Sequence, residues 1–250
     1  MMRLDLYIVD RGLCESRTAA QHLIAEGCVS VSGKVITKPS YQVEESDSIA
    51  LVDNRKYVSR GGYKLKGALE AFGISVLGKT ALDIGASTGG FTDCLLQEGA
   101  EYVYAVDSGK NQLAVRLLGN PKIGLREGCN ARYLSREDFD RKIDIVTMDV
   151  SFISQKLILP SIFDILSYGG VAITLIKPQF EVGRSGLGKG GIVRDEKTRT
   201  QARDGVVEYA RSIGFACEGT VISSIRGGDG NIEYLACFVK QKKEQENEKD

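Results

Sequence analysis

The sequence has one histidine, no cysteines at C-x-x-C spacing, no surplus of either charge and no apolar run of membrane-spanning length. Each absence excludes something. His22 lies in an expected helix without a partner at ligand spacing, so it reads as a surface or packing residue and no metal site is expected. The six cysteines, at positions 14, 28, 94, 129, 217 and 237, stand singly inside apolar segments, which suits reduced, buried thiols rather than disulfides or zinc. Thirty-three basic residues balance thirty-three acidic ones, so no global field draws the chain toward nucleic acid or an anionic membrane, and any such partner must meet a local patch. A spanning helix needs about 20 apolar residues, and no stretch approaches that. The start, MMRLDLYIVDRG, carries charges where a signal peptide has its apolar centre. The cytoplasm is therefore the expected compartment.

What is present is an ordinary globular composition. With 250 residues and 42% apolar content, the chain can form one large domain and a small one. SRTAAQHLIAEG reads as a short amphipathic helix, with Ser16 as N-cap, apolar Ala19, Ala20, Leu23 and Ile24, and a stop at Gly27. CVSVSGKVITKPS alternates apolar and polar residues about Ser32-Gly33 and reads as a hairpin, and SIALVD closes this unit at Asp53. RKYVSRGGYKLKGALEAFG follows, with Arg55, Lys56, Arg60, Lys64 and Lys66 before the first acid at Glu70. It reads as a linker over 54–62 entering a helix that buries Leu65, Ala68, Leu69 and Phe72.

From residue 79 strands and helices alternate: TALDIG, a helix over 89–98, YVYAVD, a helix near 110–118, IGLRE, IDIVTMD, a helix near 155–166, and GVAITLIK. A helix over 196–213 and two strands, ACEGTVISS and IEYLACFVK, complete the pattern. This order predicts an α/β domain over 63–240: a Rossmann-like, doubly wound, mostly parallel sheet with an antiparallel edge hairpin, preceded by a small α+β domain over 1–53. The tail 241–250, QKKEQENEKD after its strand, is charged and expected to fray.

In such a sheet the ligand sits at the carboxyl ends of the strands. There LDIGASTGGFTD turns from the first strand into its helix, and Asp107 ends the second strand 22 residues after Gly85, where a carboxylate can accept from a ribose. A dinucleotide needs G-x-G-x-x-G. Here Ser87 replaces the second glycine and Asp83 adds a negative charge that a pyrophosphate would oppose. The turn suits the cationic S-adenosylmethionine better, with a nucleotide or a purely structural turn as the remaining readings.

DIGASTGGFTD, followed by YAVD, NAR, DVSFIS, KPQFE and NIEYLACF, resembles the TlyA-type ribosomal RNA methyltransferases, which share a Rossmann-like domain with the FtsJ-type ribose 2′-O-methyltransferases. RLDLYIVDRGLCESRTAAQHLIAEGCVSVSGKVITKPSYQV resembles the RNA-binding domain named after ribosomal small-subunit protein four. The resemblance covers about residues 3 to 240, two independent modules in the family's order. It implies a catalytic set of lysine, aspartate, lysine and glutamate at Lys64, Asp149, Lys177 and Glu233. It also implies cofactor contacts at Asp83, Gly85, Ser87, Gly89, Gly90, Phe91, Asp107 and Asn130, and S-adenosylmethionine as the cofactor. Arg3, Arg11, Arg17, Lys34 and Lys38, with Arg60 beyond the module, become candidates for RNA phosphates. Ribosomal RNA or a ribosomal subunit becomes the partner, with no membrane and no metal.

Methyl transfer to a hydroxyl requires alignment and the management of one proton. Asp149 and Lys177 end neighbouring strands, so both reach one rim, and Lys64 approaches it from the preceding helix. Lys177 is then the base or steers the hydroxyl, Lys64 and Asp149 set its charge and position, and Glu233 orients Lys64 or the ribose. Singly, each has a plainer reading: an exposed helix lysine, two strand-end charges, an edge-strand glutamate. Glu181, Arg184 and Lys189 in FEVGRSGLGKGG belong to a loop that closes over RNA or is merely mobile. Rival functions are an RNA-binding ribosome-assembly factor with a vestigial pocket, a membrane-active hemolysin and a small-molecule methyltransferase. No amphipathic helix has the large apolar and basic faces that interfacial insertion requires.

Overall fold

The computed structural model describes every residue except 15, 26, 53–55, 184–185 and 242–250. The expected first-domain end at Asp53, the start of the linker, Arg184, the side chain of His22 and nearly all of the tail lie outside the described residues. The chain divides into two compact units, Met1–Ser59 and Arg60–Asp250.

The first unit runs β1 (Met2–Arg3), α1 (Leu4–Asp10), α2 (Arg17–Ala25), β2 (Val29–Val31), β3 (Lys34–Val35), β4 (Gln42–Val43) and β5 (Ile49–Leu51). Ser16 Oγ accepts from the Ala19 N–H at 3.2 Å, the expected cap of α2. Ser32-Gly33 forms the two-residue turn of the β2–β3 hairpin, and β5 pairs with the other side of β2. Leu4, Ile8, Ala20, Ile24, Val29 and Val31 form its small core. Helix α1 was not legible in the periodicity, because seven residues without a side-chain cap make a marginal helix whose existence depends on this packing.

The second unit opens with α3 (Arg60–Phe72), which begins at Arg60 rather than after residue 62 and buries Leu65, Ala68 and Leu69 as expected, whereas Phe72, expected with them, is only half-buried. Seven strands follow: β6 (Thr80–Ile84), β7 (Tyr102–Val106), β8 (Ile123–Arg126), β9 (Ile143–Met148), β10 (Leu166–Ile176), β11 (Phe215–Ile222) and β12 (Tyr234–Lys240). Their order is β11-β12-β10-β9-β6-β7-β8. Strands β6 to β10 pair in parallel, and β12 runs antiparallel to both β10 and β11. The other helices are α4 (Gly90–Gln97), α5 (Leu159–Ile165), α6 (Pro178–Glu181) and α7 (Glu196–Ser212). Leu82, Ile84, Val146, Met148, Ile176 and Phe238 lie at the centre of the core. Among the described residues no helix is long and apolar enough to cross a membrane.

Two expected helices are corrected. The helix near 110–118 is only one 3-10 turn, Val115–Leu117. Asn111 takes φ 56°, the Gln112 N–H turns to Glu127 Oε1 at 3.1 Å and the Ala114 N–H to the Thr88 carbonyl at 3.2 Å, so these donors leave the helical ladder. The helix near 155–166 is a 3-10 turn, Gln155–Leu157, followed by the shorter α5 with Pro160 in its first turn. Strand β12 also lies inside the sheet, which removes the edge-strand reading of Glu233.

Candidate active site

The sheet register builds the rim. The Asp149 N–H donates to the Ile84 carbonyl at 2.9 Å just past β9. Thr174 of β10 pairs with Met148 of β9, and Ile176 of β10 pairs with Tyr234 of β12. Because β12 is antiparallel, its first turn arrives where the parallel strands end. Asp149, Lys177 and Glu233 therefore stand within a residue or two of one level on adjacent strands, which are about 4.8 Å apart.

Two lysine–carboxylate pairs result. Lys64 Nζ of α3 lies 2.6 Å from Glu233 Oε2, with both residues buried. Lys177 Nζ lies 2.6 Å from Asp149 Oδ1 and donates to Ser151 Oγ at 3.0 Å. The Lys177–Asp149 approach is an ion pair without hydrogen-bond alignment, so Asp149 Oδ1 is a buried acceptor with no hydrogen-bond donor. Buried acceptors without an aligned donor are rare and call for a specific explanation, a catalytic role among them. Glu233 is held from behind by Gly227, where a Cβ would come 2.5 Å from Glu233 Oε1.

Beside this rim a cavity of about 460 Å³ opens between the ends of β6, β7 and β9. Of the expected cofactor residues, Gly85, Ser87, Asp107 and Asn130 line it. At Gly85, φ is 81° and any Cβ would collide with the Asp149 carbonyl, so only glycine fits this turn. Asp107 ties two turns together, accepting from the Ser87 N–H at 2.7 Å and the Gly109 N–H at 2.6 Å. Gly89, Gly90 and Phe91 are buried in the start of α4 and do not line the cavity. Asp83 does not line it either. It is fully buried beneath the turn, accepting from Thr92 Oγ1 at 2.7 Å and Thr147 Oγ1 at 2.9 Å.

Burial pushes the Asp83 carboxyl up to about 6 from 3.8, against the hydrogen bonds from Thr92 and Thr147, and the charge of Asp149 adds to the rise. The folded state therefore holds this proton more tightly than the unfolded chain, and its contribution to stability declines as pH rises from about 4 to 6. Asp83→Asn should remove that decline. Across this window its stability should shift in the variant's favour by on the order of 3 kcal/mol relative to the parent protein. Thermal melts from pH 4 to 7 check this, and a difference constant over the window contradicts it.

Sequence reasoning missed Ser151 and Phe152, although both lie in the DVSFIS segment. Phe152 is 91% exposed and lines the cavity, with φ 62° and its ring centroid 5.0 Å from that of Phe180. A large side chain in left-handed backbone is uncommon enough to suggest a functional constraint.

The RNA candidates are partly committed. Asp5, fully buried, accepts from Arg3 Nε and Nη2 at 2.9 Å each, from Arg17 Nε at 3.1 Å and from Gln21 Nε2 at 2.9 Å. The Arg3 hydrogen bonds chiefly hold its carboxyl well below the usual range. Arg3 and Arg17 keep exposed outer faces, Arg11 covers the Tyr7 ring at 5.1 Å, and Lys34 and Lys38 are exposed. Arg60 is the first residue of α3 in the other unit. Glu181 is no loop residue: it ends α6 and accepts from Ser154 Oγ at 2.6 Å and the Gln155 N–H at 2.8 Å. Among the described residues no cluster of three metal-ligating side chains occurs.

Comparison with known proteins gives two family matches, an FtsJ-like methyltransferase over residues 57–240 and an S4 domain over residues 2–49. Hemolysin A of Brachyspira hyodysenteriae is 46% identical, covering 95% of this chain and 100% of that one. The 16S/23S rRNA (cytidine-2'-O)-methyltransferase TlyA of Mycobacterium tuberculosis is 42% identical, covering 93% and 88%. A solved hemolysin-designated structure from Streptococcus thermophilus superposes with a TM-score of 0.78 at 40% identity, covering 98% and 90%.

Proposed function

The chain belongs to the FtsJ-like methyltransferase family, and from that premise we propose that it transfers a methyl group from S-adenosylmethionine to a ribose 2′-hydroxyl of ribosomal RNA. The observation that carries the reading is the pairing of Lys177 with Asp149, whose Oδ1 lacks a hydrogen-bond donor, on a rim beside the cavity. The cavity residues fit the cofactor. The Asp107 oxygens accept one N–H each, leaving lone pairs for ribose hydroxyls, while Ser87 and Asn130 add polar groups along the wall. S-adenosylmethionine, when bound, supplies a methyl on a positively charged sulfur, a good leaving centre for a weak oxygen nucleophile.

The chain's own residues manage the hydroxyl. Lys177 donates toward the ribose oxygen and steers it, with Ser151 fixing the ammonium. Asp149 Oδ1, the buried acceptor without an aligned donor, accepts the hydroxyl proton. This assigns Lys177 the steering role of its two expected roles. The Lys64–Glu233 pair, one strand away, holds the ribose in place. Phe152 offers its ring to the base of the target nucleotide. Stacking on an aromatic side chain contributes about 1–3 kcal/mol per base, so Phe152→Ala should raise KM for RNA about 10- to 100-fold, a larger change than in its affinity for the cofactor, whose cavity Phe152 also lines. Steady-state kinetics with RNA varied checks this, and an unchanged KM contradicts it.

The N-terminal module docks the RNA through the outer faces of Arg3 and Arg17 with Lys34 and Lys38, and this activity places the protein in the cytoplasm. The test is to incubate the protein with unmodified ribosomal subunits and labelled S-adenosylmethionine, digest the RNA and identify the labelled nucleoside. A ribose-methylated nucleoside is expected. Label on a base, or none in a protein that binds the cofactor, overturns the reading.

A further inference from the structure

Asn231 lies two residues before Glu233 and is 1% exposed. Its Oδ1 accepts from the Val193 N–H at 3.0 Å, its Nδ2 donates to the Gly191 carbonyl at 3.2 Å, and its own carbonyl accepts from the Gly227 N–H at 3.0 Å. One buried amide thus joins the glycine-rich segment 188–193 to the turn that backs Glu233.

The segment is folded upon itself. Gly190 and Gly191 take φ of 77° and 74°, the Gly191 N–H reaches the Gly188 carbonyl at 3.1 Å, and the Gly188 N–H reaches the Ile192 carbonyl at 3.1 Å. On its far side Arg199 Nη1 of α7 donates to the carbonyls of Val193, at 3.2 Å, and Arg194. Val193 is 2% exposed, whereas Lys189 stands exposed at the turn. A lid is drawn from weakly bonded chain. This segment is bonded from both flanks.

We propose that Asn231 is a positioning residue that makes the 188–193 segment a fixed ledge, holding Lys189 to a phosphate of the RNA next to the reacting ribose. The proposal rests on the RNA methyltransferase reading. Asn231 and Glu233 are two residues apart in the chain, at most about 7 Å, so the ledge borders the rim. Lysine contacts phosphate as a point charge whose aim depends on where its backbone is held.

The test measures the dissociation constant of the RNA substrate over a salt series for the parent protein, Lys189→Ala, Asn231→Ala and the double variant. Lys189→Ala should weaken RNA binding about fivefold and reduce the salt slope by about 1, with cofactor binding unchanged. Asn231→Ala should do the same, and the double variant should be no weaker than the weaker single variant, because both remove one contact. Multiplying effects, or an unchanged salt slope in Lys189→Ala, overturn the ledge. Hydrogen exchange on the parent protein needs no variant: the Val193 amide should exchange as slowly as strand amides, and fast exchange overturns the proposal even if Asn231→Ala fails to fold. A parent protein that methylates RNA but fails these tests rejects the ledge alone, whereas one that methylates no RNA rejects the reading beneath it.

Discussion

Lys177→Ala should lower single-turnover methyl transfer by about 10²- to 10⁴-fold while cofactor affinity stays within about twofold. The magnitude is that of losing the group that manages a proton in flight. Lys177 Nζ is 2.6 Å from Asp149 Oδ1 and 3.0 Å from Ser151 Oγ, so its removal takes away the ammonium that steers the oxygen. It also leaves the Asp149 charge uncompensated near Asp83, a buried carboxyl that this charge already pushes upward. Asp83 in the variant should then titrate higher still. Cofactor binding survives because Lys177 does not line the cavity. Full transfer by a Lys177→Ala protein with cofactor bound contradicts the assignment.

The second large effect concerns stability as well as rate. Lys64 and Glu233 are 8% and 3% exposed, and breaking such a pair from one side leaves a buried charge without its counterion. Either Lys64→Ala or Glu233→Ala should cost about 3–5 kcal/mol, a fall in Tm of about 10 °C for a unit of this size. Replacing both with apolar residues of similar volume, Lys64→Met with Glu233→Leu, should recover most of that loss, since no charge is then left buried. Methyl transfer should not return. Melting curves and single-turnover rates on the same three proteins separate the roles. A double variant that regains activity with its stability makes the pair purely structural.

The sheet was legible because its central strands carry near-continuous apolar runs beside glycines, as in GVAITLIK, most of which lies in β10. The rim was legible in identity but not in pairing. Lys64 and Glu233 stand 169 residues apart, and their meeting depends on β12 entering between β10 and β11, a choice of topology that no local pattern encodes. Asp83 illustrates the opposite limit. Its position two residues before Gly85 suggested a cofactor contact, yet whether a strand-end carboxylate faces a cavity or the layer below follows from the pleat, and Thr92 and Thr147 hold it below. The helix near 110–118 was lost to partners outside the segment, Glu127 and the Thr88 carbonyl. Phe152 was hidden by an aromatic residue's ordinary meaning as core, which only its exposure and backbone conformation reverse. Likewise, nothing in the spacing of Arg3, Arg17 and Gln21 shows that one buried carboxylate, Asp5, gathers all three.

The account's central claim is that the acceptor is a ribose hydroxyl held by Lys177 and Asp149. Once the modified nucleotide has been located, the most direct measurement uses an RNA carrying 2′-deoxyribose at that one position. The RNA should bind as tightly as its parent and accept no methyl; transfer to the deoxy substrate would contradict the claim and move the chemistry to the base.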